Sequence, residues 1–229
     1  MKNAKHAISV RRRHIAIGAA ALAFAGTWST QPVAAAEPAV VRIGVNNVVS
    51  DAPFFIANRK GYFTEQGIKV VFVPFDAGPK MIAPLGTGQL DVAAGAMSAG
   101  LYNAAARDID IKVVADKGST PPQYDYMPIL VRKALVDSGK VKSYKDLKGL
   151  KVAEAAKGGS PGSKLNEALK TGGLTYKDTE HEYIGYPQHV AALMNGAIDA
   201  SVTTEPSATQ AIERGAAARS PSADPYPKQ

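Results

Sequence analysis

The chain of 229 residues has no cysteine. That excludes disulfides, thiolate metal sites, cysteine nucleophiles and a lipid-carrying N-terminal cysteine. Histidine is almost as scarce: after residue 36 only His181 and His189 occur, eight apart. They form neither a paired-His metal motif nor part of a G-x-S-x-G elbow, so no metal, cofactor or catalytic constellation is expected, and both histidines read as surface residues. The single tryptophan, Trp28, lies near the N-terminus. No apolar run reaches the ~20 residues of a spanning helix. The formal charge of +7 is mostly local, because five of the 27 bases and none of the 20 acids fall in residues 1–36. The remainder is close to neutral, and nothing in it calls for a nucleic-acid partner.

Those first 36 residues carry the three parts of a secretory leader. A basic start ends at Arg13, an apolar stretch runs over 15–26, and Ala34-Ala35-Ala36 precedes Glu37. Cleavage is expected after Ala36. Export without disulfides or an anchor points to a bacterial periplasm.

Beyond the leader, short runs rich in Val and Ile at 40–45, 69–74, 92–95, 111–115, 127–132, 151–153, 182–184 and 200–203 read as strands. Between them lie apolar stripes at helical spacing: Met81, Ile82 and Leu85; Leu165, Ala168 and Leu169; Val190, Leu193 and Met194. The pattern predicts an α/β fold with mainly parallel strands. Gly61, Gly67, Gly88, Gly172 and Gly196 follow helical stretches and read as left-handed stops; Ser143 with Asp146 reads as a cap.

One stretch is echoed. Leu85-Gly86-Thr87-Gly88-Gln89-Leu90-Asp91-Val92-Ala93 matches Leu193-Met194-Asn195-Gly196-Ala197-Ile198-Asp199-Ala200-Ser201 in pattern. The echo predicts two lobes, 37–125 and 126–220, divided near the Pro121-Pro122 segment, with 221–229 a tail. Asp91 and Asp199 start strands and are expected to be structural.

In open α/β sheets ligands gather where strands end and helices begin. The loops to watch are 46–53, 75–79 and 95–98 in the first half and 155–163, 185–188 and 203–207 in the second. Their candidate ligand contacts are Ser50, Asp51, Phe54, Ala77, Gly78, Met97, Ser98, Ser160, Gly162, Ser163, Tyr186 and Glu205. Each has a plainer reading beside it: core packing for Phe54, capping for Ser98, and a dipole-facing acid for Glu205. Ser160-Pro161-Gly162-Ser163 suits an anion but is no nucleotide loop, since Lys164 follows a serine.

At these residues the chain resembles the periplasmic solute-binding proteins of the nitrate, sulfonate and taurine ABC importers, the SsuA-like group related to thiamine-pyrimidine precursor proteins. The matching pieces are Pro53-Phe54-Phe55-Ile56-Ala57, Lys60 to Ile68, Gly88-Gln89-Leu90-Asp91-Val92, Asp146 to Ala153, Asn195 to Ala200 and Glu205-Pro206. The resemblance implies a two-lobe type II periplasmic binding protein fold that closes on a small organic or inorganic anion. It implies a monomer that hands this ligand to an inner-membrane ABC permease and its ATPase. It also implies a longer chain, whose return would insert a strand into the first lobe. The sequence is therefore expected to be incomplete at the C-terminus, with lobe two better formed than lobe one. Two alternatives stand: an enzyme on the same fold acting on a pyrimidine precursor or chorismate-like acid, and a non-functional truncated remnant.

Overall fold

A computed structural model describes residues 37–118 and 125–220. The expected leader and tail, and most of the expected boundary segment, lie outside the described residues.

The strands gather into two sheets. In the first, β1 (Ala39–Val45) lies between β2 (Ile68–Pro74) and β3 (Val92–Ala93), and both pairings are parallel. Ile43 pairs with Phe72 on one side and Val92 on the other. Helices α1 (Ala52–Arg59) and α2 (Tyr62–Glu65) carry the chain from β1 to β2, with the Phe55 and Phe72 rings 4.7 Å apart. Helices α3 (Ile82–Gly86) and α4 (Ala99–Ala105) flank β3. Gly44 is glycine because a Cβ there would come within 2.9 Å of the Leu90 side chain.

The second sheet has five strands: β4 (Ile129–Arg132), β5 (Lys151–Glu154), β6 (Glu180–Tyr183), β7 (Ala200–Val202) and β8 (Ala217–Arg219), in the order β6-β5-β7-β4-β8. β5 is parallel to both neighbours, whereas β4 runs antiparallel to β7 and β8. Alternation along the strands serves two core layers. Ile129, Val131, Val152, Ala200 and Val202 meet Leu165, Ala168 and Leu169 of α6 (Ser160–Thr171). On the other face Leu130 and Ala153 meet Val190 and Leu193 of α7 (Tyr186–Asn195) and Ala208 and Ala211 of α8 (Ser207–Glu213). The short helix α5 (Lys133–Asp137) follows β4.

The cores differ in weight. The buried cluster of the first sheet consists of Ile43, Val45 and Ala94, with Phe54, Phe63 and Phe72 partly buried against it.

Three expectations are corrected, and one strand had no expectation at all. Segment 111–115 is no strand: Val113 and Val114 are exposed, and no described strand lies beside them to supply ladder bonds. β8 is a strand although its sequence is alanine-rich, because the open edge of β4 sets its pairing. Met194 of the α7 stripe is exposed. The left-handed residue ending α6 is Gly173, not Gly172; Gly172 has ordinary φ and is glycine because a Cβ would meet the Lys145 nitrogen at 2.6 Å.

The echoed stretch has the same geometry twice. Gly88 and Gly196 have φ of 72° and 76°. Asp91 accepts from the Arg42 N–H and guanidinium at 2.8 and 2.9 Å. Asp199 accepts from the Lys151 N–H at 3.1 Å and the Arg132 guanidinium at 2.7 Å. Asp91 thus ties the start of β3 to the middle of β1, and Asp199 ties the start of β7 to the start of β5 and the end of β4. The guanidinium beside Asp91 lowers that carboxyl to about 2.

Candidate ligand site

The described residues from Pro38 onward belong to one compact unit, and within it the loops at the carboxyl ends of both sheets face one another. A cavity there holds about 310 Å³ of empty space, part of it open to solvent. The first sheet contributes Asn46, Ala77, Gly78, Pro79 and Ala96; the second contributes Ala155, Ala156, Gly159, Ser160, Pro161 and Tyr186. Every lining residue is uncharged.

Small residues make the walls because backbones approach closely. A Cβ on Gly95 would lie 3.1 Å from the Gly78 Cα, and one on Gly159 would touch Pro79 of the facing loop at 3.5 Å. Asn46 is fixed by donating its amide to the Phe75 carbonyl at 3.0 Å. Helix α6 opens at the cavity, and the first N–H groups of a helix lack acceptors within it. Neither the Gly78 nor the Ser160 N–H has a protein acceptor among the described residues. The Tyr186 ring backs the cavity, and burial raises its hydroxyl above the ordinary range, so it is a neutral donor. Behind it the His189 ring stands edge-on at 5.7 Å.

Among the described residues, two backbone hydrogen bonds cross between the halves. The Ala99 N–H donates to the Gly158 carbonyl at 2.9 Å, and the Val49 N–H donates to the Glu205 carbonyl at 3.0 Å.

Of the sequence candidates, Ala77, Gly78, Ser160 and Tyr186 line the cavity. The others have different surroundings. Asp51 is wholly buried: its Oδ2 accepts from the Asn46 and Val48 N–H groups at 3.0 and 3.1 Å, and its Oδ1 is 2.6 Å from Lys117 Nζ. It shapes the loop that carries Asn46. Ser50 sits half-buried in the turn before it. Phe54 packs into the first-sheet core. Ser98 is buried as the cap of α4, accepting from the Leu101 N–H at 3.3 Å, while Met97 is exposed outside the lining. Ser163 is exposed. A Cβ on Gly162 would come within 2.6 Å of Glu154 Oε2, so that glycine makes room for a buried carboxyl.

The Glu205 carboxylate is already engaged, accepting from the Thr209 N–H at 2.9 Å and the Arg219 guanidinium at 3.2 Å. It is not left open to an amine. The histidines are not surface residues either. His189 is wholly buried and held to about 4, because burial disfavours its cation; His181 is largely covered and faces Glu154. An apolar helix face and an edge strand hid both placements from the sequence.

A model of the NMT1-like family matches residues 34–219. The chain belongs to the NMT1-like family. A relative in Escherichia coli (strain K12), named for aliphatic sulfonate binding, is 30% identical over 202 residues, covering 85% of this chain and 59% of its own. Among solved structures, the alkanesulfonate-binding protein SsuA from Xanthomonas axonopodis pv. citri, bound to MOPS, is 28% identical with a TM-score of 0.65; 81% of this chain and 61% of that one are covered. The periplasmic nitrate-binding protein NrtA from Synechocystis PCC 6803, at 19% identity and a TM-score of 0.60 over 80% of this chain and 51% of its own, shares the fold. The fold is thus the two-lobe α/β fold of periplasmic binding proteins. The chain spans about three-fifths of the length of the sulfonate-binding relatives. Among the described residues no helix is long and apolar enough to cross a membrane.

Proposed function

We propose that this chain is the substrate-binding part of an ABC importer, holding a small organic anion of the sulfonate class between two lobes in the periplasm. The ligand passes unchanged to an inner-membrane permease and its ATPase. The observation that carries this reading is the lining: Gly78 and Ser160, whose N–H groups have no protein acceptor among the described residues, line an uncharged, small-residue cavity together with Tyr186. In such a site a singly charged oxyanion takes several N–H and O–H donors at once, and exclusion of water strengthens each bond. The sulfonate-binding relatives support the ligand class. Engagement of the Glu205 carboxylate by Arg219 weighs against a cation. The division into lobes 37–125 and 126–220 is part of the proposal, supported by the strands of the two sheets falling on either side of it.

Thermal melts with methanesulfonate, taurine and nitrate, set against methylsulfonamide and an alkylamine, test the reading. A ligand at a hundred times its Kd stabilises the folded chain by about 2.7 kcal/mol. The expected result is a raised melting temperature with sulfonates alone, and recovery of unchanged ligand by mass spectrometry. Stabilisation by the amine, or conversion of the ligand, would overturn it.

A further inference from the structure

The residue before the cavity-lining Ala155 is Glu154, which is wholly buried. Its Oε1 accepts from the Tyr176 hydroxyl and lies 3.0 Å from His181 Nδ1. Its Oε2 has no partner and sits against Gly162 in the first turn of α6. The other ring nitrogen of His181, Nε2, is 2.7 Å from the Tyr176 carbonyl oxygen and 3.2 Å from Thr179 Oγ1. The imidazole is stacked on the Tyr176 ring at 3.8 Å and lies nearly parallel to Tyr183 at 6.4 Å.

Counting protons gives the charge of this pair when both ring contacts are made as hydrogen bonds. A carbonyl oxygen only accepts, and so does an ionised carboxylate. Both ring contacts are hydrogen bonds when both ring nitrogens carry protons, or when one of the two protons sits on Glu154 instead. Either way the pair is neutral as a unit. Burial raises the Glu154 carboxyl, opposed by the bonds from Tyr176 and His181. The other titratable groups turned toward the pair are Tyr176 from the turn after α6, Tyr183 from β6 and Tyr186 from α7. Tyr176 and Tyr186 are raised by burial. From α6 the pair meets Gly162, while Lys164 of that helix binds Asp125 at 2.6 Å. Among the described residues no lysine or arginine pairs with Glu154.

We propose that His181 is a charge-balancing positioning residue of the anion site. By sharing its proton with Glu154 it keeps the carboxyl beneath the opening of α6 from opposing a bound anion, and loss of that proton weakens binding. This rests on the anion reading above. Once the proton leaves, the pair carries one net negative charge beside Ala155 and Ser160, in surroundings where charge is poorly screened.

The test is calorimetric titration of the full chain with methanesulfonate from about pH 5 to about pH 9, a span that brackets histidine titration. Wild type is expected to lose affinity as pH rises through the pair's titration. In Glu154→Gln the imidazolium is unbalanced, so affinity at acid pH rises about threefold to tenfold, which loss of a merely structural contact would not produce. In His181→Gln the carboxyl titrates alone, so the loss of affinity moves to lower pH. The double variant is expected to show a flat profile. Nitrogen NMR of His181 reads its proton independently of any ligand. Binding with a pH profile unchanged across the variants overturns the inference and leaves the anion reading intact. Failure of wild type to bind methanesulfonate at any pH, while His181 titrates, overturns the anion reading and the inference with it.

Discussion

The Ala99 N–H and the Gly158 carbonyl, 2.9 Å apart, join the start of α4 to the loop that leads into α6. The donor belongs to the first sheet's loops and the acceptor to the second's, so the bond ties the two sets of loops together. Ala99 is the first residue of α4, where proline is tolerated because the N–H has no helical acceptor. Ala99→Pro therefore deletes the cross-cavity donor while sparing the helix. Closure should be weaker by about 0.5–1.5 kcal/mol, an ordinary hydrogen bond's net worth. Small-angle scattering should show a larger ligand-free radius of gyration, and an unchanged radius would mean that the bond does not hold the halves together.

Gly162 leaves no space for a methyl group beside Glu154 Oε2. Gly162→Ala should lower stability by about 1–3 kcal/mol through overpacking against a buried carboxyl. Thermal melts of the variant check this, and a neutral outcome would mean that α6 shifts without cost.

His189 is buried, neutral and held to about 4. An unfolded histidine titrates near 6.5, so between those values the unfolded chain binds the extra proton. Stability therefore rises with pH across that window, and is lost as pH falls from about 6.5 to about 4, by roughly 3 kcal/mol in all. Urea unfolding at a series of pH values should show this slope in wild type and a flatter one in His189→Gln.

The paired clamps should separate by exposure. Asp199→Asn removes a carboxylate shared by the Lys151 N–H and Arg132 in a half-buried setting, at a cost of about 1–3 kcal/mol. The Arg42–Asp91 pair is open to solvent, so Asp91→Asn should cost less. Equal losses in the two variants would show that exposure does not set the strength of these clamps.

Hydrogen exchange should rank the sheets. The first sheet buries Ile43, Val45 and Ala94 on one face and Met81 and Leu90 over Gly44 on the other, fewer apolar residues than cover the two faces of the second. Amides of β1 and β2 are expected to exchange faster than those of β5 and β7. Protection as high in β1 as in β5 would refute it.

β1, β2, β4 and β5 were legible in the sequence, because Val and Ile clusters carry period and length locally; β6, with neither residue, was met only at 182–183, and the cluster at 111–115 proved no strand. The Asp91 and Asp199 clamps were legible for a related reason: the same pattern recurs, and repetition distinguishes signal from chance. β8 was not legible, since an alanine run becomes a strand only when a neighbouring edge offers it backbone partners. The antiparallel direction of β4 was hidden too, because direction is a property of how the chain enters the sheet.

For the cavity, the sequence supplied the loops and some of the lining, as Ala77, Gly78, Ser160 and Tyr186 show. Which side chains remain available to a ligand was decided by packing. Asp51 and Glu205 look like ligand groups in sequence, yet Lys117 and Arg219, distant in the chain, engage them. Glu154 and His181 have no local motif linking them, and they meet because β5 and β6 pair in register. Local chemistry determined where helices and strands begin, since capping, turning and burial act over a few residues. Partnership among charges was left to the tertiary structure, since a carboxylate's neighbour is set by which strands lie side by side.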